Sequence, residues 1–200
     1  MTRRHTRLVS LCPLLGLLAG CAADPFQAAA NDEHVGRWES AYANWRLAVS
    51  QAEAARAADT DLAMRHYNLG RAAGATCRFD EAERELLLAN QLDTSTNGPT
   101  YMSLFELACM AYDRGQWAKA IDYSERGFSE IERIQGKNSH HPAATAQQVD
   151  EYAIALRKAG RQADADAARA HAVELRQLEP NARIVTDRTP YGNYCAPGTP

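Results

Sequence analysis

The chain has 200 residues, 46% of them hydrophobic, 24% charged and 8% aromatic, a composition that excludes wholesale disorder and suits one domain or a short repeat array. Its 38 alanines, against 12 glycines and 8 prolines, favour closely packed helices over sheets, so the expected class is all-α. A formal charge of −3 gives no electrostatic reason to expect nucleic acid or an anionic membrane surface as the principal partner.

Residues 1–7 carry Arg3, Arg4 and Arg7 with no acid, and residues 8–20 form an apolar run of 13 interrupted by Pro13. A helix of that length spans about 20 Å, short of the roughly 30 Å hydrocarbon core, which is the pattern of a leader rather than of a transmembrane span. The run ends in Leu18-Ala19-Gly20-Cys21, which resembles the lipobox of bacterial lipoproteins. The resemblance implies cleavage after residue 20 and lipidation of Cys21. With Ala22 following the cysteine, it implies an address at the outer membrane, on the periplasmic face, with palmitate-type acyl chains as anchor. Each buried methylene of such chains contributes about 0.8 kcal/mol. Removal of residues 1–20 loses three arginines and no acid, leaving 19 bases against 25 acids and a formal −6. It also leaves Cys77, Cys109 and Cys195 in an oxidising compartment, an odd number, so at least one is free or paired between chains.

Residues 21–35 are expected to be the lipidated N-terminus and a short tether, residues 36–180 a helical repeat domain, and residues 181–200 an extended, flexible tail marked by Pro190, Gly192, Pro197, Gly198 and Pro200. The repeat shows first as Gly36-Arg37-Trp38-Glu39-Ser40-Ala41 and Gly115-Gln116-Trp117-Ala118-Lys119-Ala120. Weaker copies are Cys77-Arg78-Phe79-Asp80-Glu81-Ala82 and Gly160-Arg161-Gln162-Ala163-Asp164-Ala165. Before three of them an amphipathic helix is predicted in which a large apolar residue directly precedes a small one: Leu69-Gly70, Leu107-Ala108 and Tyr152-Ala153. The small residue lets two helices approach closely, and glycine at the end of the first helix permits the turn into the second. These features resemble tetratricopeptide repeats (TPR), and the steps of 41, 38 and 45 between Ala41, Ala82, Ala120 and Ala165 resemble the kinesin-light-chain-like subclass. The resemblance implies an antiparallel helix-pair superhelical solenoid of about three and a half repeats. The copies depart from the pattern in three places: copy one has no well-formed first helix, copy two has Cys77 for the turn glycine, and copy three has Arg169 where a large apolar residue is usual. Asp59 or Thr60 can N-cap a helix running to about residue 75, Asp80, Glu81 and Glu83 suit the start of its partner, and residues 94–100 and 136–142 read as loops.

No GxxxxGK[ST], GxGxxG, GxSxG, HExxH or CxxC occurs, so no motif points to an enzyme or a cofactor. His140-His141 diverge too much to chelate a metal by themselves, and no metal or nucleic acid is expected. In a stacked array, function would sit in the groove built by the first helices. The groove-facing stripe is predicted as Met64, Tyr67 and Arg71 in one unit, Met102, Phe105, Cys109 and Tyr112 in the next, and Ile154 and Arg157 in the last, a trough for a peptide with apolar anchors and an acidic group. Phe105 and Tyr67 either face that trough or are covered by a neighbouring repeat or by the tail. Cys109 is either a buried free thiol or, with Cys195, a clamp holding the tail in the groove. Two functions fit: a non-enzymatic, lipid-anchored scaffold for a periplasmic or outer-membrane protein, or a pilotin-like assembly factor for a secretin, pilus or other envelope machine. With so few repeats, homodimerisation through the first or last pair is an accessory expectation.

Overall fold

A computed structural model describes residues 24–136, 140–182 and 188–195. The expected leader and the expected lipid site at Cys21 lie outside the described residues. Within them the chain is all-helical: α1 (Pro25–His34), α2 (Trp38–Ala54), α3 (Asp59–Ala75), α4 (Phe79–Thr96), α5 (Tyr101–Asp113), α6 (Trp117–Gln135), α7 (Pro142–Lys158) and α8 (Gln162–Leu178). They pack as four antiparallel pairs, α1·α2, α3·α4, α5·α6 and α7·α8, each second helix leaning on the first helix of the next pair. None of these helices is long and apolar enough to cross a membrane.

The turn inside each pair is the same local structure four times. Gly36, Cys77, Gly115 and Gly160 all take positive φ, at 74°, 68°, 66° and 81°. The next residue's amide reaches back to a carbonyl of the helix just ended: Arg37 to Asp32, Arg78 to Ala73, Gln116 to Ala111 and Arg161 to Leu156, at 2.8–2.9 Å. This double reach-back satisfies carbonyls that a helix end leaves orphaned, and it needs a left-handed residue, which glycine supplies without steric cost. Cys77 adopts the same geometry with a side chain.

The repeated alanines close the pairs. Ala41, Ala82, Ala120 and Ala165 are buried, and so are Ala89 and Ala172 further along the second helices. Gly70 lies where α3 and α4 cross: a Cβ there would come within 2.7 Å of Leu86 Cγ and 3.1 Å of its backbone nitrogen. Tyrosine–glutamate bonds lace successive pairs, joining α2 to α4, α6 to α4 and α7 to α6. The Tyr42 hydroxyl donates to Glu81, the Tyr123 hydroxyl and Lys119 to Glu83, and the Tyr152 hydroxyl to Glu125, at 2.8–2.9 Å. Such ties, part-buried at Tyr42 and Tyr123 and exposed at Lys119 and Tyr152, contribute about 1 kcal/mol or less each and mainly hold register.

Two expectations change. Residues 25–34, expected as part of a tether, form a capped helix: Asp24 accepts from the Phe26 amide, Pro25 occupies the first turn, and Phe26 packs edge-on to Trp45. Asp32, at the inner end of α1, anchors it by accepting from Arg37, Ser40 and Asn44. The other change is at the loop expected over 94–100, which is shorter, because α4 runs to Thr96 and ends on Asn97 in the left-handed region.

The Ser40 hydroxyl bond, then Arg37, holds the Asp32 carboxyl below its ordinary value despite opposing burial. A lowered folded value stabilises the fold above the unfolded value of about 3.9 and loses that contribution as pH falls through the folded one. Urea melts at pH 6 and pH 3 should therefore show Asp32→Asn less stable at pH 6 and losing less on acidification than the parent. Gly70→Ala sets a helix-propensity gain of about 1 kcal/mol against overpacking that costs about 1–3 kcal/mol. Since one of the crowding atoms is backbone, the expected result is a net loss of about 1 kcal/mol in the urea midpoint analysis.

Candidate functional site

The first helices α1, α3, α5 and α7 build one face, and the segment 188–195 lies across it. The segment begins at Arg188, whose guanidinium forms paired bonds with two carboxylates on neighbouring helices: Asp113 on α5 at 2.7 and 2.8 Å, and Glu151 on α7 at 2.7 and 3.1 Å. Burial works against this charge, but the bonds to Asp113 and Glu151 outweigh it and hold Arg188 firmly protonated. Thr189, fully buried, accepts from Arg71 Nε at 2.8 Å. Arg71 is itself buried, with Glu106 at 3.4 Å, Glu33 at 3.3 Å and the Tyr67 ring 5.6 Å below its guanidinium.

Glu106 is the junction. It accepts from the Tyr67 hydroxyl at 3.1 Å and from the Tyr191 hydroxyl at 2.8 Å while facing Arg71. Burial first, and then the Glu106 carboxylate, push both phenols well above the ordinary tyrosine value, so they remain donors. The Tyr191 ring fills the space above Gly74, where any methyl group would overlap it. Gly192 and Tyr194 then donate backbone N–H bonds to the carbonyls of Gly74 and Ala75, at 3.2 and 3.0 Å, and Tyr194 rests against Trp38 with ring centroids 6.3 Å apart. The run ends in a disulfide between Cys195 and Cys77, with Cα atoms 5.1 Å apart and 118 positions of chain between them.

Two expectations are corrected here. The part of the tail at 188–195 is not an extended free segment: Thr189 and Tyr191 are buried and the end is covalently held. The cysteine that pairs with Cys195 is Cys77, not Cys109. Cys109 is the buried free thiol, within 3.5–3.6 Å of Glu151 and Gln148, and burial followed by the Glu151 and Glu106 carboxylates raises it well above the ordinary thiol value, which makes it a poor nucleophile.

The predicted stripe separates into four groups. Arg71, Cys109 and Tyr112 lie along the course of the tail, Arg188 standing 5.9 Å from the Tyr112 ring. Met64, Tyr67 and Met102 line an apolar cavity of about 220 Å³ between the N-terminal halves of α3 and α5, closed off by Ala63 and Pro99, with both methionines exposed. Phe105 belongs to neither: it is buried against Phe128 and against Gly127 of its own partner helix. Ile154 lies beside Asp150, Arg169 and Val173 on the outer face of the last pair, and Arg157 is exposed near the end of α7. On α7 the residues that face Cys109 of α5 are Gln148 and Glu151, rather than the predicted Ile154 and Arg157. Glu106, Asp113, Glu151 and the tail residues they hold were not predicted. A signal existed for Glu106: it is the lone charge inside the apolar run from Tyr101 to Tyr112, and a charge in such a setting implies a buried partner.

No family model matches the chain, and no curated protein matches it. Among solved structures it is similar to BtubC (BKLC) from P. vanneervenii, a kinesin-light-chain-like, TPR-type protein, with a TM-score of 0.69 and 18% identity. The match covers 80% of this chain and 65% of BtubC, so this chain spans somewhat under two thirds of that protein. The likeness establishes a TPR-like all-helical fold.

A cross-link closing a loop of more than 100 residues removes on the order of 4–5 kcal/mol of unfolded-chain entropy, with measured effects spanning about 2–5 kcal/mol. Cys195→Ser should lower the unfolding free energy by an amount in that range. Cys77→Gly breaks the same bond but supplies the residue that the other three turns use, and should retain about 1 kcal/mol more than Cys77→Ser. Denaturant melts of the three variants, with and without reductant, read both differences.

Proposed function

We propose that this protein is a non-enzymatic, lipid-anchored TPR scaffold that holds a protein partner at the periplasmic face of the outer membrane. The observation that carries the interaction role is the open apolar cavity of Met64, Tyr67 and Met102 on the first-helix face of a TPR-like array. It has room for about one large apolar side chain, and exposed methionines adapt to differently shaped anchors. The Leu18-Ala19-Gly20-Cys21 box supports the anchor and the address. The Cys77–Cys195 disulfide supports an oxidising compartment, since such bonds are rare in reducing ones.

The partner is a protein or an extended peptide with an apolar side chain at its centre of contact, and the array presents it rather than transforms it. Met64→Asp with Met102→Asp should leave the helical content unchanged, because both side chains are already exposed, while reducing recovery of the cross-linked partner from envelopes at least ~10-fold. A recovered partner that forms rings in the outer membrane would place the scaffold in the assembly of that ring. Cys21→Ser should abolish incorporation of labelled fatty acid and release the protein from membranes, and a variant that stays membrane-bound would refute the lipid anchor.

A further inference from the structure

We infer that residues 188–194 occupy, in cis, a second peptide-binding site on the first-helix face, and that this site takes in trans a segment of the pattern Arg-Thr-x-Tyr-Gly that turns after its threonine, as residues 190–193 do, once the Cys77–Cys195 latch is opened. The inference rests on reading that face as a partner surface, but its site lies apart from the Met64–Met102 cavity, so the two can fail separately.

Four features make the covered surface a site rather than incidental packing. Asp113 and Glu151 converge from different helices on one guanidinium, so with Arg188 withdrawn two carboxylates confront each other and require a cation. Arg71 and Glu106 offer a buried donor for a hydroxyl and a buried acceptor for a phenol, spaced for Thr189 and Tyr191. Gly74 leaves the gap that receives the aromatic ring. The carbonyls of Gly74 and Ala75, in the last turn of α3, take the backbone N–H groups of Gly192 and Tyr194, which recognises a backbone turned at Pro190–Asn193, with Gly192 at positive φ. Cation, hydroxyl, aromatic ring and a glycine-containing turn together define the ligand class.

The latch makes the site conditional. While the disulfide stands, the tail cannot leave. A dithiol opens it by giving up two electrons and two protons: the S–S bond breaks, Cys77 and Cys195 each become a thiol, and the dithiol becomes a disulfide. The freed tail then competes only at the effective concentration of a tethered segment, on the order of millimolar.

The test uses the full mature chain and a fluorescein-labelled synthetic peptide of residues 188–194, read by anisotropy. The double variant Cys77→Gly/Arg188→Glu keeps the turn, removes the latch and turns the cis tail against Asp113 and Glu151. It should bind the peptide at least ~100-fold more tightly than the oxidised parent. A peptide with Glu in place of its Arg should bind at least ~30-fold more weakly than the parent peptide. Amide exchange of the parent, which needs no variant, should speed at least ~10-fold at Gly192 and Tyr194 on treatment with dithiothreitol. Equal binding to oxidised parent and opened variant, no binding to a folded opened variant, indifference to the Arg-to-Glu change in the peptide, or unchanged exchange on reduction would each overturn the inference.

Discussion

The left-handed residue at the turn of each helix pair is the constraint from which the rest follows. It lets the amide after it bond back across the end of the first helix, which brings the second helix down at close range, and only small residues such as Ala41, Ala82, Ala120 and Ala165 fit where the two then meet. In the second pair that residue is Cys77, so a position defined by backbone geometry is also the covalent terminus of the tail. The turns lie at the C-terminal ends of the first helices. A tail that must finish at one of them is drawn from the end of α5 past its middle to the end of α3, through Asp113, Glu106 and Gly74, leaving the first turns with Met64 and Met102 open.

The chemistry under the tail is mostly acidic. Glu33, Glu106, Asp113 and Glu151 face the two cations Arg71 and Arg188, and the hydroxyls of Tyr67 and Tyr191 donate to Glu106. Buried ion pairs of this kind contribute little net stability, because desolvation consumes much of their attraction, but removing one member leaves an uncompensated charge at a cost of about 3–5 kcal/mol. Their effect is on specificity: the segment over them must offer a cation, a hydroxyl and a phenol in order. An acidic peptide, expected from the arginines of the predicted stripe, would meet four carboxylates here; Arg71 is already engaged and Arg157 stands outside the face.

What could be read from the chain divides along the same physical line. The helix pairs and their turns were legible because they are local: Gly36, Gly115 and Gly160 with an alanine five residues on announce one motif, and Cys77 stood out as the exception within it. The pairing of Cys77 with Cys195 was not legible, since it depends on a tail returning across 118 positions, and nothing local distinguishes it from the Cys109 alternative. The groove stripe was half legible. Selecting large apolar residues finds Met64, Tyr67 and Met102, but also selects Phe105, which the close approach at Gly127 draws into the core. The same preference passes over Glu106 and Glu151, which resemble solvated helix charges until their partners arrive from elsewhere. Arg169, odd for the third copy, lies exposed beside half-buried Ile154 and exposed Val173, where no further described helix packs.

A repeat array ordinarily gains stability only from adjacent units, so its ends can unravel while its middle persists. Here one segment of eight residues touches α1's neighbour Trp38, the end of α3, the middle of α5 and Glu151 of α7, and so links all four pairs directly. Its disulfide fixes the last part of the chain to the second pair, so that fraying of α7 and α8 must disrupt contacts made by α3 and α5 as well. The tail thereby converts a sum of neighbour interactions into a closed circuit with more cooperative unfolding. Opening that circuit at Cys77–Cys195 both exposes the acidic site and returns the array to its looser, one-dimensional stability, so exposure of the site and softening of the scaffold are a single event.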